Sequence, residues 1–190
     1  MRNIIILSIL FFSCNLPLDD CVEVYLIRHA EKDRSDPLNK NPHLNKKGIE
    51  RSLLWSGYFE NKEVKSIYST NYNRTIETVL PISIAKGIKP IIYSTSNINY
   101  ESFLKKEKGN TVLVVGHSNT IPSFVNKLIE EDYYKQINDT VNSNLYIVKK
   151  CSDKNIKLIY FSTNYVYPGV SGNYHEEDPV KPINNYAWSK

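Results

Sequence analysis

The sequence predicts an α/β domain: a three-layer sandwich in which a mostly parallel central sheet is covered by helices on both faces. Three observations predict it. Strand-like runs alternate with helical patterns over about residues 21–161. One of those runs, Thr111-Val112-Leu113-Val114-Val115, is apolar without a break, as strands buried on both faces are. Finally, Arg28, His29, Arg74 and His117 fall at or just beyond the ends of strand-like runs, and open α/β sheets bind ligands at that edge.

Taken in order, Val22 to Ile27 is rich in β-branched and aromatic residues and reads as a strand that ends at Arg28-His29. Asn45 is placed to cap a helix in which Ile49 and Leu53 share a face, followed by Trp55 and Phe59. Ser66 to Ser69 is a second strand. Arg74 then opens a helix whose Ile76, Val79 and Leu80 keep helical spacing until Pro81 kinks or restarts it. Pro90 to Tyr93 reads as a third strand, and Asn99 to Lys108 as a helix ended by Gly109. After Thr111 to Val115 comes Gly116-His117-Ser118-Asn119. Pro122 then suits the first turn of a helix carrying Ile121, Phe124, Val125 and Leu128 on one face. Asn144 to Val148 and Ile156 to Phe161 are two further strands.

At 190 residues, 41% hydrophobic and 23% charged, the chain has the composition of one globular domain with tails. Its net charge of +4 comes from basic and acidic residues dispersed along the chain, a solvated mixed surface that gives no reason to expect a nucleic-acid partner. Residues 1–20 differ from the rest. Arg2 precedes an apolar run from Ile4 to Phe12, too short to span a bilayer, and Ser13-Cys14 follows. Those proportions are those of a secretory signal, with Cys14 as a lipid-anchor site and a secreted or membrane-anchored, extracytoplasmic location as the expectation. The alternative is a buried N-terminal strand. Cys21 and Cys151 are either two free thiols or, in an oxidising compartment, a disulfide.

The polar residues at the sheet edge suit phosphoryl transfer. That chemistry needs cations that hold the equatorial oxygens and a nucleophile in line with the leaving group. Arginine offers a planar fork that matches phosphate, charged at any accessible pH. A neutral imidazole attacks through one nitrogen while a hydrogen bond to the other fixes its tautomer. A helix starting just after His117 would aim free N–H groups at the same anion.

Leu26-Ile27-Arg28-His29-Ala30-Glu31-Lys32, Leu44-Asn45-Lys46-Lys47-Gly48, Tyr68-Ser69-Thr70 with Asn73-Arg74-Thr75-Ile76-Glu77-Thr78, and Val115-Gly116-His117-Ser118-Asn119 resemble, in that order, the motifs of the histidine phosphatase superfamily. That superfamily includes phosphoglycerate mutases, phosphohistidine phosphatases and histidine acid phosphatases. The resemblance implies a phosphoglycerate mutase-like fold and hydrolysis of a phosphoester or phosphoramidate through a phosphohistidine at His29. Arg28, Arg74 and His117 would complete the phosphate pocket, without metal or organic cofactor, on a small phosphorylated substrate or a phosphoprotein. For the proton donor to the leaving group, Glu101 and Glu31 both stand as candidates. The short interval from Arg74 to His117 leaves little room for a cap domain, so the expected site is small and open and favours a hydrolase over a mutase.

From Phe161 the text changes. Phe161-Ser162-Thr163-Asn164-Tyr165-Val166-Tyr167-Pro168-Gly169 and Tyr186-Ala187-Trp188-Ser189-Lys190 resemble extended short-chain dehydrogenases such as dTDP-dehydrorhamnose reductases, where Thr163, Tyr186 and Lys190 would match the proton-transfer triad. The seven glycines form no Gly-rich turn of the kind that approaches a dinucleotide. The domain reading is therefore a leader over 1–20, a phosphatase domain over 21–161 and an orphan tail over 162–190. In that tail, His175-Glu176-Glu177-Asp178 is solvated surface or a weak cation site. Competing readings are a truncated sugar-nucleotide reductase fusion, which would bind NAD(P)H, and a phosphate-binding pseudoenzyme.

Overall fold

The structure is a computed structural model that describes residues 21–151 and, for the backbone, 156–162. The expected leader with Cys14, and the tail with Thr163, Tyr186, Lys190 and the cluster from His175 to Asp178, lie outside the described residues.

Six strands form one sheet: β1 (Cys21–Arg28), β2 (Val64–Ser69), β3 (Ile91–Ile92), β4 (Thr111–Gly116), β5 (Leu145–Cys151) and β6 (Ile156–Ser162). Their spatial order is β3-β2-β4-β1-β5-β6. The first four in that order run parallel, whereas β5 is antiparallel to both β1 and β6, so the sheet is mixed. Four helices connect the strands: α1 (Lys46–Tyr58), α2 (Asn73–Lys86), α3 (Tyr100–Lys106) and α4 (Thr120–Ile129).

Alternation along β1 sorts its side chains between two cores. Val22, Val24 and Leu26 join Val112, Val114 and the apolar residues of α3 and α4 on one face. Tyr25 and Ile27 join Leu113, Val115 and residues of α1, α2 and their flanks, including Phe59, Val79 and Ile82, on the other. This is the predicted covering of both faces. It explains why β4 reads as continuous apolar sequence: its three valines and its leucine are all fully buried.

Two local expectations are corrected. Ile49 and Leu53 do not face the core; they are 53% and 58% exposed, and the buried residues of α1 are Gly48 and Ser52. The cause is close packing, since a Cβ on Gly48 would lie 2.1 Å from the carbonyl oxygen of Glu31. The helix must present its smallest residue to the segment that carries His29. Likewise, Pro81 does not restart α2, which runs through it to Lys86 and closes on Gly87 in the left-handed conformation. Burial of Thr78, Val79 and Ile82 on both sides of the proline holds that helix in place.

Cys21 and Cys151 occupy paired positions at the ends of β1 and β5 and are joined as a disulfide. Of the two states open from sequence, the described chain has the bonded one.

Candidate active site

The parallel register places Arg28 beside Gly116 and Ser69 beside Val115, so β1, β4 and β2 end together. A cleft of about 850 Å³ opens there. Arg28, His29, Arg74 and His117 all line it, with Lys32, Thr70, Tyr72 and Asp139 among its other walls. The four residues singled out from sequence are thus brought to one site.

His29 follows β1 and is held on three sides. Its N–H donates to the carbonyl of Gly116 at 2.9 Å, its carbonyl accepts from Asn142 Nδ2 at 2.8 Å, and the next N–H, that of Ala30, donates to Thr78 Oγ1 at 2.8 Å. The ring is 2.7 Å from the Ala30 carbonyl through Nδ1. A carbonyl only accepts, so Nδ1 carries the proton and Nε2 keeps the lone pair. Burial, with Arg28, His117 and Arg74 adding to it, lowers the imidazole pKa to about 3 against the opposing pull of that carbonyl. His29 is a neutral base with its tautomer set.

His117 sits 5.5 Å from His29, ring centre to ring centre. Its Nε2 is 3.0 Å from Thr70 Oγ1, and its Nδ1 is 3.4 Å from Arg74 Nη2. Guanidinium only donates, which makes Nδ1 the acceptor and Nε2 the N–H. Burial, then Arg74, Arg28 and Lys32, lower its pKa to about 4. Arg74 stacks over Tyr72 at 4.4 Å, and its buried Nε has no partner among the described residues. Gly116 lets the turn before His117 close, because a Cβ there would meet Thr120 Oγ1 at 2.8 Å. The same Thr120 oxygen accepts the His117 N–H at 2.9 Å. Helix α4 starts at that residue, so its N-terminus borders the cleft as expected.

Arg28 departs from the simplest expectation of a free fork. Its side chain is buried, and Nη1 donates to the carbonyls of Asn138 and Val141 at 2.9 and 2.8 Å. Nη2 meets Asp139 Oδ1 at 2.5 Å. Its buried Nε is left without a partner among the described residues. The irregular segment between α4 and β5 therefore straps the site together: Ile137 N–H donates to the Ser118 carbonyl, its middle grips Arg28, and Asn142 holds His29. Sequence reading missed Asp139, Asn142, Thr70, Thr78 and Tyr72. Thr70 and Thr78 lay inside the quoted motifs, whereas nothing in the irregular segment marked Asp139 or Asn142.

Neither candidate proton donor is placed for that work. Glu101 is exposed on α3 and does not line the cleft. Glu31 accepts two hydrogen bonds from Arg51, at 2.8 and 2.7 Å; burial works to raise its pKa, but Arg51 and Lys47 hold it below the usual value. Asp139 is the carboxylate that lines the cleft, and its pKa is also lowered. Partial desolvation opposes the shift, and hydrogen bonds from Arg28 and Arg34 outweigh it. Among the described residues, no group of three or more His, Cys, Asp or Glu is arranged to hold a metal ion.

Two histidines and two arginines thus meet over an open cleft at the parallel edge of an α/β sheet. Residues 24–95 match the histidine phosphatase superfamily, branch 1, and residues 128–190 match the RmlD substrate binding domain. The second match contains the tail residues read from sequence and reaches back to the end of α4. No curated protein matches the chain by sequence. Among solved structures, the protein histidine phosphatase SixA bound to tungstate superposes with a TM-score of 0.58 at 14% identity, covering 73% of this chain and 95% of that one. The Agrobacterium tumefaciens protein assigned as phosphohistidine phosphatase SixA gives 0.54 at 21% identity, covering 74% and 97%. A phosphoserine phosphatase variant from Entamoeba histolytica, bound to phosphoserine, gives 0.56 at 14% identity, covering 74% and 96%. At these identities the likeness establishes the fold, and the motifs within residues 24–95 establish the resemblance to the superfamily.

Proposed function

We propose that the chain is a phosphatase that hydrolyses phosphoesters or phosphoramidates through a phosphohistidine at His29. The observation that carries the reading is the hydrogen bond from His29 Nδ1 to the Ala30 carbonyl, which leaves Nε2 unprotonated on a ring lining a cationic cleft. In the first step Nε2 attacks phosphorus, the bond to the leaving oxygen or nitrogen breaks, and the leaving group takes a proton from solvent water. Charge on the equatorial oxygens is met by Arg74, the Arg28 Nε–H and the His117 Nε2–H, which exchanges Thr70 for a phosphoryl oxygen. In the second step water attacks the phosphohistidine and gives up a proton to solvent, the bond from phosphorus to Nε2 breaks, inorganic phosphate leaves, and Nε2 regains its lone pair.

The cleft carboxylate, Asp139, is held ionised by two arginines and is a poor proton donor. This supports substrates whose leaving group departs without a strong acid, such as aryl phosphates and phosphoramidates. The site residues supply the positive charge themselves, so the reading calls for no metal. The interval between Arg74 and His117 holds α2, β3, α3 and β4 and no inserted layer, consistent with a hydrolase open to water. Small phosphorylated molecules or phosphoproteins are the proposed substrates, and the SixA and phosphoserine phosphatase neighbours favour that range. The disulfide between Cys21 and Cys151 supports an extracytoplasmic location, with Cys14 as the proposed lipid anchor.

The test is hydrolysis of p-nitrophenyl phosphate by the full chain in chelator, beside its His29→Ala and Arg74→Ala variants. Turnover lost in the first variant and weakened in the second is expected. Wild-type rates in both would overturn the assignment, and binding of NAD(P)H would favour the reductase reading of the C-terminal match.

A further inference from the structure

Next to the main cleft lies a second hollow of about 400 Å³, and the two share Lys32 and Asp139 as walls. Lys32 is partly buried, and the carboxylate that acts on it, Asp139, is the one already held by Arg28 and Arg34. Burial, then the nearby charges of Arg74 and Arg34, press its pKa below the usual lysine value against the opposing pull of Asp139. Arg34, from the second hollow, reaches Asp139 Oδ2 at 2.7 Å while Arg28 holds Oδ1. One oxyanion therefore already bridges a cation of the catalytic cleft and a cation of the hollow beside it. Glu31, the other carboxylate of the hollow, is bound by Arg51, so it does not neutralise Lys32. The side chains of Arg34 and Asp139 are 56% and 61% exposed, which leaves this outer pair free to exchange partners with an incoming anion.

We propose that Lys32 and Arg34 form a second anion subsite, so that the preferred substrate carries another oxyanion, a carboxylate or a second phosphate, close to its reacting phosphoryl group. Asp139 is paired with Arg34 in the structure, and the substrate anion takes its place while Arg28 keeps its backbone partners. The inference rests on the reading that the phosphoryl group sits at His29.

The test measures binding to the full-length His29→Ala chain at low ionic strength, where no turnover intervenes. The probes are phenyl phosphate, its ortho-, meta- and para-carboxylated derivatives, and the corresponding benzene bisphosphates. At least one doubly anionic probe is expected to bind about fivefold tighter than phenyl phosphate. The ratio falls toward one in added Arg34→Gln or Lys32→Gln variants and in high salt. The carboxylated and bisphosphate arms show which oxyanion fits. Equal binding of all probes, no binding of any, or a preference that survives the double Lys32→Gln, Arg34→Gln change overturns the subsite. Selective binding by this chain with no turnover by the His29-containing chain would keep the subsite and reject the phosphatase reading.

Discussion

Thr78 Oγ1 accepts the Ala30 N–H at 2.8 Å while donating to the Arg74 carbonyl at 2.6 Å, so one hydroxyl links the segment that carries His29 to the helix that carries Arg74. The residue is fully buried. Through the Ala30 peptide it also steadies the carbonyl that sets the His29 tautomer.

Thr78→Val keeps the shape of that side chain and strips its hydrogen bonds. It leaves the Ala30 N–H buried without a partner, at a cost of about 1–3 kcal/mol. Urea unfolding should show that loss, and the rate should fall more than the stability change explains, because the Ala30 carbonyl is released. Unchanged stability and rate would show that the link is unimportant.

Gly48→Ala is expected to be costly for a residue on a helix, where alanine is ordinarily preferred. The new methyl group meets the Glu31 carbonyl at 2.1 Å. Thermal unfolding should show a loss of about 2 kcal/mol or more, with reduced turnover as the segment carrying His29 shifts.

The two imidazoles give a pH signature. With folded pKa values lowered to about 3 for His29 and about 4 for His117, both are neutral from pH 5 upward. The acid limb of kcat/KM should therefore fall below pH 5. For stability, each group binds a proton more readily in the unfolded chain, whose value is near 6.5. Their contribution is present above pH 6.5 and is lost as pH falls toward the folded values. Denaturant midpoints should decline over that window, and less so in His117→Gln. An activity limb at pH 6 to 7 from either histidine would contradict the assigned protonation.

The disulfide closes a span of 130 residues between Cys21 and Cys151. Replacing both cysteines by serine should lower stability by about 3–5 kcal/mol, chiefly by freeing the unfolded chain. Free-thiol titration of the unreduced, unfolded protein should find neither cysteine reactive.

The sheet was legible because its signals are local. Val22 to Ile27 and Thr111 to Val115 announce strands by their own composition, and the residues after them fall at the sheet edge by geometry alone. The apolar face of α4, with Ile121, Phe124, Val125 and Leu128 all buried, was equally plain. The face of α1 was not, because periodicity reports which residues share a side and not which side meets the core. There the close approach of Gly48 to Glu31 decided the matter. The four site residues stood within motifs, but the strap from Ile137 to Asn142 has no periodicity and meets Arg28 across more than a hundred residues. No local signal points to such a contact. For the same reason the closeness of Glu31 to His29 in sequence gave no hint that Glu31 turns to Arg51.

The central claim is a covalent bond between phosphorus and His29 Nε2. The most direct measurement is rapid acid-free quenching of the full chain during turnover of an aryl phosphate, followed by mass mapping of the base-stable, acid-labile phosphoryl group. The account predicts label on the peptide that contains His29, carried on Nε2 and absent from His29→Ala. Turnover with the label on His117, or with no phosphorylated histidine at all under conditions that accumulate intermediate, would contradict it.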